Sequence, residues 1–183
     1  MGKEFIVGVT GASGIIYARR LLEQLEGAGK VHLIVTDIAR VIASHEGVDL
    51  EGLHVKTYDD TVMTARIASG SFHHDGMVII PCSMKTLAGI VGGYSENLVT
   101  RAADVTLKER RRCILVLREM PFNRVHLQNM LAAHDAGATI MVASPGFYHR
   151  PVSIADLVDM VVARVLDHLG VTHDLKVAWE GLT

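Results

Sequence analysis

Phe5-Ile6-Val7-Gly8-Val9-Thr10-Gly11-Ala12-Ser13-Gly14 opens the chain with a short apolar run that stops in small, turn-forming residues. The period then changes. Ile15, Ala18, Leu21, Leu22 and Leu25 recur at helical spacing, and Gly27 to Gly29 end the segment. The same alternation continues outward from this stretch. Residues 31–35, 77–81, 113–117 and 138–142 read as further strands, and about 37–45, the stretch after Ser83, 97–111, 125–136 and 154–169 as helices. Residues 47–75 are more polar and less periodic and yield no element. Continuous apolar strands alternating with amphipathic helices predict a parallel sheet covered on both faces. No repeat, low-complexity tract or linker divides the chain. The expectation is one α/β domain over residues 1–183: a single doubly wound parallel sheet, Rossmann-like or flavodoxin-like, with helices on both faces.

Composition narrows the function classes. At 183 residues, 49% hydrophobic and 21% charged, the chain excludes intrinsic disorder and can bury a core without disulfides or metals. Aromatics are only 5%, so that core is aliphatic, with eight Met. A net charge of −2 gives no basic footprint, and no nucleic-acid partner is expected. Cys82 and Cys113 lie in or beside apolar runs with no CxxC pair, and read as reduced and buried. No apolar stretch reaches the ~18 residues of a membrane span, and the first residues lead into a strand rather than a signal-peptide core. A soluble, cytoplasmic protein is expected.

In doubly wound sheets ligands sit beyond the carboxyl ends of the strands. The residues following the five predicted strands are Gly11-Ala12-Ser13-Gly14, Thr36, Cys82-Ser83-Met84-Lys85-Thr86, Arg118-Glu119 and Ser144-Pro145. Hydroxyls beside free helix N-terminal amides suit a phosphate or another anion. Gly8-x-x-Gly11-x-x-Gly14 reads either as a tight connection or as a turn that lets backbone approach a ligand. Asp37 stands where a dinucleotide fold places its ribose-binding acid, or simply begins a helix; no Tyr-x-x-x-Lys pair supports a dehydrogenase. Arg101 and Lys108, seven apart on a predicted helix, form either a solvated face or a partly buried anion site. Arg110 to Arg112 read as a solvated cationic cluster at the helix end. Glu119 is either a loop solubiliser or an acid/base at the crevice. His73-His74 makes a poor metal site, most histidines are assigned to the surface, and the Asp59-Asp60 pair lacks the second acidic cluster of a diphosphate–magnesium site. No metal is expected.

Six motifs then occur in order: Val9-Thr10-Gly11-Ala12-Ser13-Gly14, Ala68-Ser69-Gly70-Ser71-Phe72, Pro81-Cys82-Ser83-Met84-Lys85-Thr86-Leu87-Ala88, Thr100-Arg101-Ala102-Ala103-Asp104-Val105-Thr106-Leu107-Lys108-Glu109-Arg110, Arg118-Glu119-Met120-Pro121 and Pro145-Gly146-Phe147-Tyr148-His149-Arg150-Pro151. With them nearly the whole chain resembles the UbiX-type flavin prenyltransferases, a family formerly described as the small subunit of aromatic-acid decarboxylases. The resemblance implies transfer of a dimethylallyl group from dimethylallyl phosphate to N5 and C6 of reduced FMN. The product, prenylated FMN, serves UbiD-type decarboxylases. By motif, FMN contacts fall on Gly11, Ala12, Ser13, Thr36, Ser83, Met84, Lys85, Thr86 and Arg118. The prenyl-phosphate side falls on Ser69, Gly70, Arg101, Lys108, Tyr148 and Arg164. Ser13, Glu46, Glu119 and Lys108 match catalytic positions. The family assembles as homododecamers with the flavin between subunits.

Three departures stand out: Thr36-Asp37 where the family usually reads Ser-Lys, Leu117 in place of a Pro, and Met63 where some members carry an aromatic. The rival readings are a flavoprotein cysteine decarboxylase, whose Pro-Ala-Ser-Ala-Asn-Thr motif is replaced by Pro81 to Thr86, and a non-catalytic FMN carrier.

Overall fold

The computed structural model describes residues 2–175; residues 1 and 176–183, the ends of the expected domain, lie outside the described residues. Six strands form one sheet: β1 (Glu4–Val9), β2 (Lys30–Val35), β3 (Lys56–Asp59), β4 (Gly76–Cys82), β5 (Cys113–Leu117) and β6 (Thr139–Val142). Every pairing is parallel, and the order is β3-β2-β1-β4-β5-β6. The connections carry helices α1 (Ile15–Leu25), α2 (Asp37–Glu46), α3 (Met84–Val91), α4 (Leu98–Lys108) and α5 (Arg124–Asp135), with a 3-10 turn at Arg66–Ala68; α6 (Ile154–Leu169) follows β6.

The apolar runs are explained by burial on both sides of the sheet. Phe5, Val7 and Val9 of β1 pack with α1, α2 and α6, while Ile6 packs with α3, α4 and α5. β4 and β5 divide in the same way, Val78, Ile80, Ile114 and Val116 to the first core, Met77, Ile79, Cys113 and Leu115 to the second. Gly8 lets α4 approach: a Cβ there would lie 3.0 Å from Val99 Cγ1. Strand order reverses between β2-β1 and β4, so the crossovers leave β1 and β4 toward opposite faces and open a crevice at their carboxyl ends.

Two differences from the sequence reading have physical causes. β3 arises in the stretch that yielded no element; Lys-Thr-Tyr-Asp on an edge buries only Tyr58 partly, so it carries no apolar pattern to read. Helix α4 stops at Lys108 rather than 111. Arg110 adopts a left-handed φ of 55°, Arg110 N–H donates to Leu107 O, and Arg111 N–H turns back to Thr106 O. His32, within β2, is an exception to the surface reading of most histidines. It is buried, with Nε2 bonded to Glu4 at 2.8 Å and Nδ1 to the Tyr58 hydroxyl at 2.9 Å. Cys82 and Cys113 are buried and free, and burial pushes the Cys113 thiol up to about 12. Among the described residues no helix is long and apolar enough to cross a membrane.

Candidate active site

The crevice at the switch point is a cleft of about 390 Å³ walled by the ends of β1, β2 and β4 and the starts of α2, α3 and α4. Thr10 ties β1 to β4 at its base: its hydroxyl donates to Pro81 O (2.9 Å) and accepts from Ser83 N–H (2.9 Å). Gly11 is required beside it, because a Cβ would sit 2.7 Å from Ile38 Cγ2 at the start of α2. Thr36 and Ser83 cap α2 and α3, accepting from the amides of Ala39 and Thr86. Asn97 and Thr100 form a capping box on α4 and also line the cleft. Several helix N-termini therefore converge on one cleft, each presenting amides and the positive end of its dipole.

Helix α1 begins differently. Its N-cap, Gly14, is left-handed (φ 98°) and has no side chain to cap with. Glu46, the last residue of α2, supplies the acceptor: Oε1 takes Gly14 N–H at 2.9 Å and Oε2 takes Ile15 N–H at 2.9 Å. Burial works to raise the Glu46 carboxyl, but the Ser13 hydroxyl, those two amides and the Arg118 charge together hold it below the usual carboxylate range. Arg118 reaches back to donate to Ser13 O (3.2 Å). Ser13, Glu46 and Arg118 are thus one cluster at the start of α1, with Glu119 on the wall of the cleft next to it.

Asp37 and Asp60 bring negative charge to the same wall. Burial, then the charges of Asp37 and Asp59, raise the Asp60 carboxyl, which accepts from Asn97 Nδ2 at 3.3 Å. Lys85 points outward and pairs with Glu96 at 3.2 Å. Met84 is half-buried against the core on the α3 side.

A second constellation lies along α4. Arg101 Nε donates to Ala68 O (3.2 Å) and Nη1 pairs with Asp104 (2.8 Å). Lys108, two turns on, pairs with Glu109, and the pair covers Gly70, where a Cβ would meet Glu109 Oε1 first and lie 2.8 Å from Lys108 Nζ. The Ser69 and Ser71 hydroxyls share a hydrogen bond of 2.9 Å. Ser69, Gly70, Arg101 and Lys108 therefore come together.

Tyr148 and Arg164 do not join them within one chain. Tyr148 is in the loop after β6, its ring edge-on to His149 at 5.7 Å. Arg164 is on α6, which packs on α1 across the sheet from α4, and pairs with Asp167 at 2.7 Å. The cations expected for the phosphate are divided between two faces.

Sequence reasoning missed the wall residues Thr10, Asp60, Asn97 and Thr100. The Asn97-x-x-Thr100 capping box was a readable signal for the last two. It also assigned Arg111 and Arg112 to a solvated cluster. Arg111 instead donates to Phe72 O (2.6 Å) and Gly70 O (2.7 Å), and Arg112 to Leu169 O at the end of α6 (2.5 Å). Among the described residues no three His, Cys, Asp or Glu gather as a metal site would require.

Comparison with known proteins gives the chain its family. The Flavoprotein family model matches residues 1–166. The chain is 49% identical over 184 aligned positions to a flavin prenyltransferase UbiX of Methanothermobacter thermautotrophicus, covering 98% of this chain and 96% of that one. It superposes with a TM-score of 0.94, at 38% identity and full coverage of both chains, on a UbiX crystal structure in complex with FMN and dimethylallyl pyrophosphate. A dodecameric FMN-dependent UbiX-like decarboxylase from Escherichia coli O157:H7 superposes at 0.93 with 42% identity, covering 97% of this chain and all of that one.

Proposed function

The chain belongs to the flavoprotein family as a flavin prenyltransferase of the UbiX type, and we propose that it takes the dimethylallyl group from dimethylallyl phosphate onto N5 and C6 of reduced FMN at the switch-point crevice. The observation that carries the assignment of residues is the convergence of the Thr36 and Ser83 caps, the Gly11 turn and Glu119 on one cleft, with the Ser13–Glu46–Arg118 cluster at the start of α1, just after that turn. The residues present fit FMN. Helix N-termini and hydroxyls suit its phosphate, and Gly11 puts backbone without a side chain on the cleft wall.

The bound reduced flavin supplies the nucleophilic nitrogen and ring carbon; the protein supplies the rest. Gly11, Ala12, Ser13, Thr36, Ser83, Met84, Lys85, Thr86 and Arg118 hold the flavin. Ser69, Gly70, Arg101 and Lys108, with Tyr148 and Arg164, hold the phosphate. Breaking an allylic C–O bond leaves negative charge on that phosphate, and fixed guanidinium and ammonium groups stabilise it as it forms. Loss of one such contact costs ~10²-fold in rate, or about 3 kcal/mol. Closing the ring at C6 would open the allylic double bond, whose inner carbon takes up the proton released from N5, and Glu119 would accept the proton shed from C6. Ser13 and Glu46 fix the start of α1 beside the reacting nitrogen.

Because the cations are divided across the sheet, the phosphate site closes between copies of the chain. Met120, Val125, Leu127 and Leu131 around α5 and Phe147, Val152 and Ile154 beyond β6 are exposed apolar side chains that supply contact surface for such an assembly, a dodecamer on the pattern of the E. coli structure. Its product would pass to a UbiD-type decarboxylase. Two buried free thiols fit a reducing cytoplasm.

The test is an anaerobic incubation of the protein with reduced FMN and dimethylallyl phosphate, or the diphosphate in a parallel arm, followed by mass analysis of the released flavin. Gain of one prenyl unit is expected from the monophosphate. Unmodified flavin in both arms would leave a flavin carrier.

A further inference from the structure

We propose that Arg111, which lies outside the FMN and phosphate contacts assigned above, is a positioning residue for the turn at residues 69–72, a role that rests on reading that turn as the seat of the prenyl phosphate. The turn is closed by Phe72 N–H donating to Ser69 O (3.1 Å) and by Ser71 N–H donating to Ser69 Oγ (3.3 Å). Since the Ser69 carbonyl is used inside the turn, the Gly70 amide on the same trans peptide plane faces the opposite way. Both flanks are anchored in the core. Ile67 and Phe72 are buried, the Phe72 ring edge-on to His32 at 5.0 Å and beneath the Arg66 guanidinium at 4.5 Å.

The middle of the turn has no apolar anchor of its own. Gly70 has no side chain, and Ser69 and Ser71 bond mainly to one another. Arg111 supplies the missing tie. Its two terminal nitrogens take the carbonyls of Gly70 and Phe72 in a two-pronged contact at 2.7 and 2.6 Å, while Arg101 takes the carbonyl of Ala68 one step earlier. Three carbonyl oxygens, at 68, 70 and 72, are thereby turned toward cations, which keeps their negative ends away from an arriving anion. Among the described residues Arg111 forms no ion pair, unlike Arg101 and Lys108, although its charge acts on the Glu109 carboxylate that pairs with Lys108.

The end of α4 is built to aim this side chain. Glycines with positive φ follow the ends of α1, α2, α3, α5 and α6 (Gly27, Gly47, Gly93, Gly137 and Gly170), whereas α4 reverses through Arg110 at φ 55°. That reversal sends Arg111 N–H back to Thr106 O and swings the residue under the turn that Lys108 covers. Lysine could keep the charge but not the fork that spans two carbonyls.

The experiment compares Arg111→Lys and Arg111→Met with the intact protein, in steady-state kinetics with dimethylallyl phosphate, in FMN binding, and in amide exchange over residues 69–72 with and without dimethylallyl phosphate. A KM for the prenyl donor raised about tenfold in Arg111→Lys, and further in Arg111→Met, is expected from loss of one and then both charge-assisted bonds. FMN affinity and kcat stay within about twofold, and exchange at 69–72 quickens in the absence of donor. A wild-type KM in Arg111→Lys, or FMN affinity falling in step with the rise in KM, would overturn the proposal. Arg111→Lys keeps the question open to measurement if Arg111→Met does not fold. If the donor fails to protect residues 69–72 in the intact protein, the phosphate reading falls; unaltered exchange in Arg111→Lys strikes the clamp itself.

Discussion

Replacing Glu46 by alanine tests whether α1 is capped from a distance. Two amide hydrogen bonds to a charged acceptor at the first turn of α1 disappear together, and the Ser13 hydroxyl loses its partner. Loss of a side-chain N-cap costs about 1 kcal/mol, and loss of a negative charge at a helix N-terminus adds about 0.3–1 kcal/mol. The sum is about 2 kcal/mol, or ~4–8 °C in Tm for a domain of this size. Glu46→Gln keeps one acceptor oxygen and should lose about half as much. The pH dependence distinguishes capping from mere packing. The folded carboxyl lies below its ordinary value of 4.5, so its stabilisation is complete above that value and is lost as the pH falls through the lower folded pKa. Urea unfolding at fixed protein concentration should show the alanine variant fully weakened at pH 7 and converging on the parent in acid. A loss below ~0.5 kcal/mol at pH 7, or a deficit that does not change with pH, would refute the capping argument.

Arg110→Gly removes a left-handed non-glycine residue with φ 55° and should stabilise the protein by about 1 kcal/mol in denaturant melts, as glycine already does after the other helices. Asp37→Asn takes a negative charge from the cleft wall. FMN affinity measured by fluorescence should rise about fivefold at low salt, and Asp60 should titrate closer to its ordinary value. His74, held down to about 4 mainly by burial and then by the Arg111 charge, binds protons less readily folded than unfolded. Stability should therefore fall as the pH drops from 6.5 toward 4, and His74→Phe should flatten that limb of the pH–stability curve.

The parts of the molecule that could be read in advance are those where local pattern and tertiary role coincide. Strands β1, β2, β4 and β5 are buried on both faces, so they appear as unbroken apolar runs; β3 lies on an edge with one half-buried Tyr58, and nothing in Lys-Thr-Tyr-Asp distinguishes it from a loop. The strand-end rule located Gly11, Ser13, Thr36, Ser83 and Glu119 because position in the fold alone selects them. Glu46 was reached only through family resemblance. On its own helix it is one more polar residue, and its bonds to Gly14 and Ile15 join residues more than thirty apart in sequence. Arg111 was lost to the same limitation: a guanidinium three places past a helix end looks solvated until the turn at 69–72, some forty residues earlier, folds beneath it.

Helix α4 sets the most demanding constraint on mechanism. Thr100 near its start lines the switch-point cleft, while Lys108 at its end lies over Gly70, and the seven residues from Arg101 to Lys108 rise about 10 Å. β5 then runs back the other way, rising about 13 Å from Cys113 to Leu117 before it delivers Glu119 to the cleft. Lys108 and Glu119 of one chain thus stand at opposite ends of the sheet, too far apart to serve the same five-carbon group. If both act, they act from different copies. Mixing dissociated Lys108→Ala and Glu119→Gln proteins and reassembling them should then regenerate roughly a quarter of wild-type activity, since each contributor is intact at random in half the positions. Neither variant alone should recover under the same treatment. Mixed assemblies as inactive as the separate variants would refute the division of the two groups between copies.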